Sequence, residues 1–167
     1  MKKNLKINSL SLWLNKFPWK RKKDHKYSRG KLNIFGSQLN MTGSTILCSE
    51  AALRVGTGSV KIICSKKTLP IYSSKFPSVL KEEINNLISL KKLIVKEKNS
   101  IFLIGPGAGV NQLTKKRTKL ILKNSKYAII DADALTCFKN NPKELYSLLD
   151  KNKIITPHIK EFHTIFP

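Results

Sequence analysis

Five short apolar runs recur along this 167-residue chain, at KLNIF (31–35), SVKIIC (59–64), SIFLIG (100–105), YAIID (127–131) and KIIT (153–156). Stretches of helical period separate them, and no other feature constrains the fold as strongly. The runs are apolar at consecutive positions rather than alternate ones. Strands of that kind are covered on both faces, and strand–helix alternation makes them a parallel sheet. The expected architecture is therefore α/β, with three αβα layers around a mostly parallel sheet.

The connecting segments set provisional boundaries. A helix is expected over 42–55, with Ile46, Leu47 and Leu53 on its apolar face and Gly56 and Gly58 as stop signals. Pro70 and Pro77 give 65–80 the look of a loop. Helical pattern follows over 82–95, with Ile84, Leu87, Ile88 and Leu90 apolar, and over 111–124. Further helical material covers 133–150, interrupted near Pro142. Residues 1–24 read as an extension or linker, and 25–167 as the domain.

Composition narrows the function classes. A hydrophobic content of 41% fits a globular chain. The formal net charge of +22 would concentrate any polyanion around the molecule. The lysines are nevertheless scattered through every segment, without zinc-finger spacing, an RNP-type aromatic motif or an Arg-rich helix. No specific nucleic-acid partner is expected, whereas a substrate that carries phosphates suits the charge. Cys48, Cys64 and Cys137 are odd in number, far apart and set among apolar residues, which reads as reduced core cysteines of a cytoplasmic protein. No stretch is long enough to span a membrane.

Four runs end in a turn that is glycine-rich or bears an acid or a histidine: FGSQLNMTGS, IGPGAGV, IDADAL and ITPHIKE. In an open α/β sheet those turns share one edge, where ligands bind. The first leads into a helix N-terminus, whose free N–H groups suit an anion. Gly43 would allow close approach there and Ser44 adds a hydroxyl, the alternative being a plain loop with Ser44 as a cap. GPGAG (105–109) lacks the Gly-Lys-Ser/Thr of a P-loop and the spacing of a dinucleotide fingerprint, but offers backbone N–H groups free of side chains, Gly107 and Gly109 among them. Asp133 reads as a helix cap and Asp131 as the carboxylate facing the crevice. His158 and Glu161 share a side if a helical turn begins after Pro157. A neutral His can hydrogen-bond a substrate, and a carboxylate can order Mg²⁺-bound water. His25 and His163 read as surface residues.

With these motifs in order, the chain resembles the ADP-dependent NAD(P)H-hydrate dehydratases of the ribokinase-like superfamily. The matching stretches are HKYSRGKLNIFG (25–36), MTGSTILCSEAALRVGTGSVKI (41–62), IGPGAG (104–109), DADAL (131–135) and TPHIKEF (156–162). LWLNKFPW (12–19) is similar to the segment that joins an epimerase domain to the dehydratase domain in bifunctional members.

The resemblance implies repair of nicotinamide cofactors hydrated at the reduced ring. ADP, or ATP in some relatives, phosphorylates the added hydroxyl with Mg²⁺ present, and loss of phosphate restores NADH or NADPH. It further implies that Ser44, Gly107, Gly109, Asp131 and His158 bind the hydrate, and that Glu161 sits by phosphate and Mg²⁺ without ligating a metal directly. Ser44 stands where many members carry Ala, and Lys160 where Gly is usual. The family's Gly-x-Gly-Asp loop, which supplies the general base, has no match in 1–167. No catalytic residue is therefore expected here. The chain reads as the first part of a longer domain, inactive alone, with an open sheet edge and a homo-oligomer when complete. Two other readings stay open: a ribokinase-like vitamin kinase, and a non-catalytic half-domain that binds a dinucleotide or a partner chain.

Overall fold

The computed structural model describes residues 7–166. Its centre is a sheet of six parallel strands: β1 (Lys31–Phe35), β2 (Ser59–Cys64), β3 (Leu80–Glu83), β4 (Ile101–Ile104), β5 (Tyr127–Ile130) and β6 (Lys153–Ile155). The strand order is β3-β2-β1-β4-β5-β6. The chain winds outward one way through β2 and β3, then returns to β1 and winds the other way. The order reverses between β1 and β4, and the crevice outside the C-terminal ends of those two strands is where such sheets take ligands.

Strand register explains the two cores. Asn33 pairs with Lys61 and Phe102, and Ile34 with Ile62 and Leu103. Phe35, Ile63, Phe102, Ile104, Ala128 and Ile130 point to one face, under α3 (Leu87–Lys96), α4 (Gln112–Asn124), α5 (Ala132–Thr136), α6 (Pro142–Tyr146) and α7 (Ile159–Ile165). Ile34, Val60, Ile62 and Cys64 point to the other, under α1 (Thr42–Arg54) and α2 (Leu69–Lys75). Three layers result. Asn86 and Asn111 cap α3 and α4, their side-chain oxygens accepting the Ser89 and Thr114 N–H groups at 2.8 and 2.9 Å.

Several boundaries differ from expectation. The 65–80 stretch is not a loop: it contains α2, with Pro70 in the first turn, and leads into β3. Proline is tolerated there because the first N–H groups of a helix have no internal partner. The helix expected from 82 starts only after Asn86, because Glu82 and Glu83 pair with Ile63 and Cys64 as β3. Leu47 and Ile88 are exposed rather than core. On α1 the inward positions are the small residues Thr45, Ser49 and Ala52, which let the helix lie close to the sheet. Of the cysteines, Cys64 alone is fully buried.

Residues before β1 pack against the turn between α1 and β2. Arg29 Nε donates to the Gly56 carbonyl at 2.6 Å, and Gly58 N–H donates to the Arg29 carbonyl at 3.2 Å. No helix among the described residues is long and apolar enough to cross a membrane.

Candidate functional site

The turns after β1, β4, β5 and β6 line one edge, and a chain of contacts joins them. After β1, Thr45 Oγ1 accepts the Ser37 N–H at 2.9 Å and shares a 2.6 Å hydrogen bond with Ser37 Oγ, which pins the entry to α1. Gln38 N–H then donates to the Gly107 carbonyl at 2.8 Å, tying this turn to GPGAG. Gly107 has φ +63°, and a Cβ there would come within 2.8 Å of Met41, 2.9 Å of Ser37 and 3.1 Å of Ser44 Oγ. Ser44 therefore faces Gly107. It is the third residue of α1 and caps nothing; Met41 holds the cap position without a side-chain bond. A Cβ at Gly43 would meet nothing within 4 Å, so the first turn of α1 is open on that side.

The β4 and β5 turns are equally close. Gly105 has φ +136°, and a Cβ there would overlap the Asp131 carbonyl oxygen. Only glycine admits this approach. Asp133 departs from its expected cap role: it lies in the first turn of α5, and its carboxylate accepts the Gly109 N–H at 2.8 Å. A carboxylate in a first turn suits the helix dipole and here also holds the neighbouring loop. Asp131 occupies the cap position instead, without a capping bond, and its Oδ1 accepts the Thr156 hydroxyl at 2.8 Å. Between the two acids Ala132 has φ +44°, the only positive value at a non-glycine among the described residues. Strained backbone of this kind persists where its surroundings over-determine it, often at functional sites.

Beyond β6 the expected helical turn is present. His158 caps α7, with Nδ1 accepting the Lys160 and Glu161 N–H groups at 3.1 and 3.4 Å, while Glu161 Oε2 accepts the His158 N–H at 3.0 Å. Because Nδ1 accepts, the neutral ring carries its proton on Nε2, which lies 3.4 Å from Glu161 Oε1. The His158 side chain is 61% exposed and that of Glu161 only 14%. Lys160 contributes its N–H to this box without disturbing it.

The structure thus brings Ser44 directly to Gly107, Asp131 to Gly105 and Thr156, and His158 to Glu161. No hydrogen bond among the described residues joins His158 to Ser44 or Gly107; they share the edge, not a contact. Sequence reasoning missed Ser37, Gln38 and Thr45. The signal for Ser37 and Thr45 was two hydroxyls eight residues apart across a turn, which is too common a pattern to stand out. No group of three His, Cys, Asp or Glu among the described residues could hold a metal ion.

Comparison with known proteins identifies the fold and the family. The NAD(P)H-hydrate dehydratase family matches residues 32–167. The chain belongs to that family. It is 30% identical over 150 residues to the ADP-dependent (S)-NAD(P)H-hydrate dehydratase of Staphylococcus aureus, covering 87% of this chain and 52% of that protein. Against the bifunctional NAD(P)H-hydrate repair enzyme Nnr of Coxiella burnetii, identity is 30% over 149 residues, covering 87% of this chain and 29% of that protein. A ribokinase-like superfamily protein from Enterococcus faecalis superposes with a TM-score of 0.75 at 22% identity, over 88% of this chain and 51% of that one. The dehydratase of Bacillus subtilis co-crystallised with ATP/Mg²⁺ superposes with a TM-score of 0.70 at 23% identity, over 89% of this chain and 51% of that one. The fold is ribokinase-like, and the chain spans at most about half the length of these relatives.

Proposed function

We propose that residues 25–167 form the hydrate-binding part of an enzyme that restores NADH or NADPH from its (S)-hydrate, with ADP or ATP as phosphoryl donor. Residues 1–24 would lie outside that domain and, in a bifunctional protein, lead from an epimerase domain. The observation that carries the reading is the Ser44–Gly107 contact at the point where strand order reverses, with Gly43 open beside it. A helix N-terminus and the Gly107 N–H offer backbone donors to an anionic, hydroxyl-rich ligand there, whereas the Gly109 N–H, expected to be free, is held by Asp133. Asp131 can accept from a ligand hydroxyl, and the exposed Nε2–H of His158 can donate to one.

The reaction asks little covalent chemistry of these residues. The ring hydroxyl takes a phosphoryl group from the nucleotide, then leaves as phosphate while the ring loses a proton, which restores the reduced nicotinamide. Positioning and charge stabilisation supply most of the acceleration in such transfers. Mg²⁺ would neutralise phosphate charge, but the described residues do not themselves form its site. Glu161 has one oxygen committed to the His158 N–H, and no cluster of three possible ligands surrounds it. The Gly-x-Gly-Asp loop that would supply the base is not in this sequence.

The test is to titrate NADH-hydrate into the 167-residue chain by calorimetry, then to follow the return of reduced-nicotinamide absorbance with ADP and Mg²⁺. The expected outcome is binding without appreciable turnover. Absence of hydrate binding overturns the reading.

A further inference from the structure

The crevice does not stop at Gly107. On the β1–β2–β3 side of it lies a separate pocket of about 230 Å³, lined by Ser37 and Gln38 after β1, by Ser65, Lys67 and Thr68 after β2, and by Arg117 from α4. Ser37 and Gln38 are shared, since the same two residues contact Gly107.

Arg117 is the unusual feature. The inward stripe of α4 runs through Thr114, Thr118 and Ile121, and position 117 lies one turn from each end of it. The chain therefore places a guanidinium where the helix packs inward. Burial pulls its pKa below the ordinary value, but a guanidinium keeps its proton in proteins. Among the described residues it makes no hydrogen bond or ion pair, and neither Asp nor Glu lines the pocket. Other inward-facing cations are partnered: Lys61 is paired with both Glu97 and Glu82, and Lys153 with Asp150 and the Ser125 and Lys126 carbonyls. A charge partly removed from water without a partner calls for an anion from outside. The planar fork of Arg matches phosphate in a bidentate way, with the rim ammonium of Lys67 and the hydroxyls of Ser65 and Thr68 beside it.

We propose that this pocket binds a phosphate or pyrophosphate group of a nucleotide through Arg117. The inference deepens the hydrate-binding reading and rests on it for the identity of the nucleotide: the pyrophosphate of the nicotinamide dinucleotide and that of ADP share the chemistry.

The test is calorimetry of the full chain with inorganic pyrophosphate, comparing the unaltered protein with Arg117→Met and with Lys151→Met. The second removes the same charge at the far edge of the sheet, from an exposed position before β6. Arg117→Met is expected to weaken binding by about tenfold or more, as loss of a charge-assisted hydrogen bond would. Lys151→Met should change it by less than about twofold, as for an exposed charge. No binding to the unaltered protein, or equal losses in the two variants, overturns the proposal. If Arg117→Met does not fold, amide shifts decide: pyrophosphate should move Ser37, Gln38, Ser65 and Thr68, and shifts spread over the lysine-rich surface overturn the site. Displacement of pyrophosphate by NADH-hydrate assigns the pocket to the dinucleotide, displacement by ADP alone assigns it to the phosphoryl donor, and displacement by neither sinks it. Failure of the hydrate to bind anywhere removes the dehydratase reading but leaves the pyrophosphate result standing.

Discussion

Glu97 shows how much one side chain can carry away from the ligand edge. Its carboxylate receives Lys31 Nζ and Lys61 Nζ at 2.8 Å each and Asn33 Nδ2 at 2.9 Å. Burial would raise its pKa, but the hydrogen bonds from Lys31, Lys61 and Asn33 outweigh that and hold it at about 2. The folded value lies below the ordinary 4.5, so the stabilisation is complete above pH 4.5 and drains away as pH falls toward 2. Glu97→Gln should therefore cost about 2–4 kcal/mol at neutral pH, because it leaves Lys61 buried with a single carboxylate. It should also flatten the acid limb, and urea titrations at pH 7 and pH 3 check both effects. Unchanged stability at pH 7 would mean that the network contributes nothing net. Two glycines at the site make a contrasting pair. Gly105→Ala should unfold the β4–β5 turns, since the new methyl overlaps the Asp131 carbonyl. Gly43→Ala should leave the melting temperature level or raise it slightly, as helix propensity favours Ala by about 1 kcal/mol, yet weaken hydrate binding if the ligand fills that open side. At this scale the sequence was a partial guide. Gly107, Asp131 and His158 are visible because several strand ends carry glycine, acid or histidine together, and Ser44 is visible only through the motif that contains it. Arg117 and the Ser37–Thr45 pair do not, because an arginine among lysines and a serine in a loop become informative only once their surroundings are known.

Among the elements, α7 is the most exposed to failure. It carries the His158–Glu161 box at its start but is anchored at its other end, where Ile165 is fully buried and Tyr146 Oη donates to the Ile165 carbonyl. Phe166 stacks on Tyr146 with ring centroids 5.2 Å apart. Ile165→Ala should cost about 2–4 kcal/mol by opening a cavity in the main core, and hydrogen exchange should accelerate first at the amides of α7. Protection in α7 that outlasts protection in α4 would show that the anchor lies elsewhere. The strands buried on both faces were readable from their apolar runs, and the capped helices α3 and α4 nearly so. The missed elements, α2 and β3, share one cause. Pro70 looks like a breaker but sits where a helix can accept it. LKEE has no apolar run because β3 is the edge strand and needs none.

The whole molecule is covered unevenly, and that has a measurable consequence. The face under α3 to α7 is roofed along its length, whereas α1 and α2 cover only the β1–β3 part of the opposite face. Across β4, β5 and β6 that second face carries Leu103, Ile129 and Ile154 in register, with burial falling toward the edge until Ile154 is 59% exposed. β6 also has no partner beyond it among the described residues. An apolar stripe that ends in an unpaired strand edge is a template for pairing. The three-residue length of β6 limits that edge, but Lys153 turns its ammonium back to the Ser125 and Lys126 carbonyls, and Ile154 is left as the outward residue. The high positive charge opposes close approach of two copies, but its effect is screened within about 8 Å at physiological salt. The chain should therefore stay monomeric at low ionic strength and associate as salt rises, the reverse of assembly held by ion pairs. Ile154→Lys should place a charge on the edge, abolish the salt-induced association and leave the circular dichroism unchanged. Light scattering on both proteins across a salt series reads this directly. If the unaltered chain remains monomeric at high salt, the stripe and edge are too small to drive assembly.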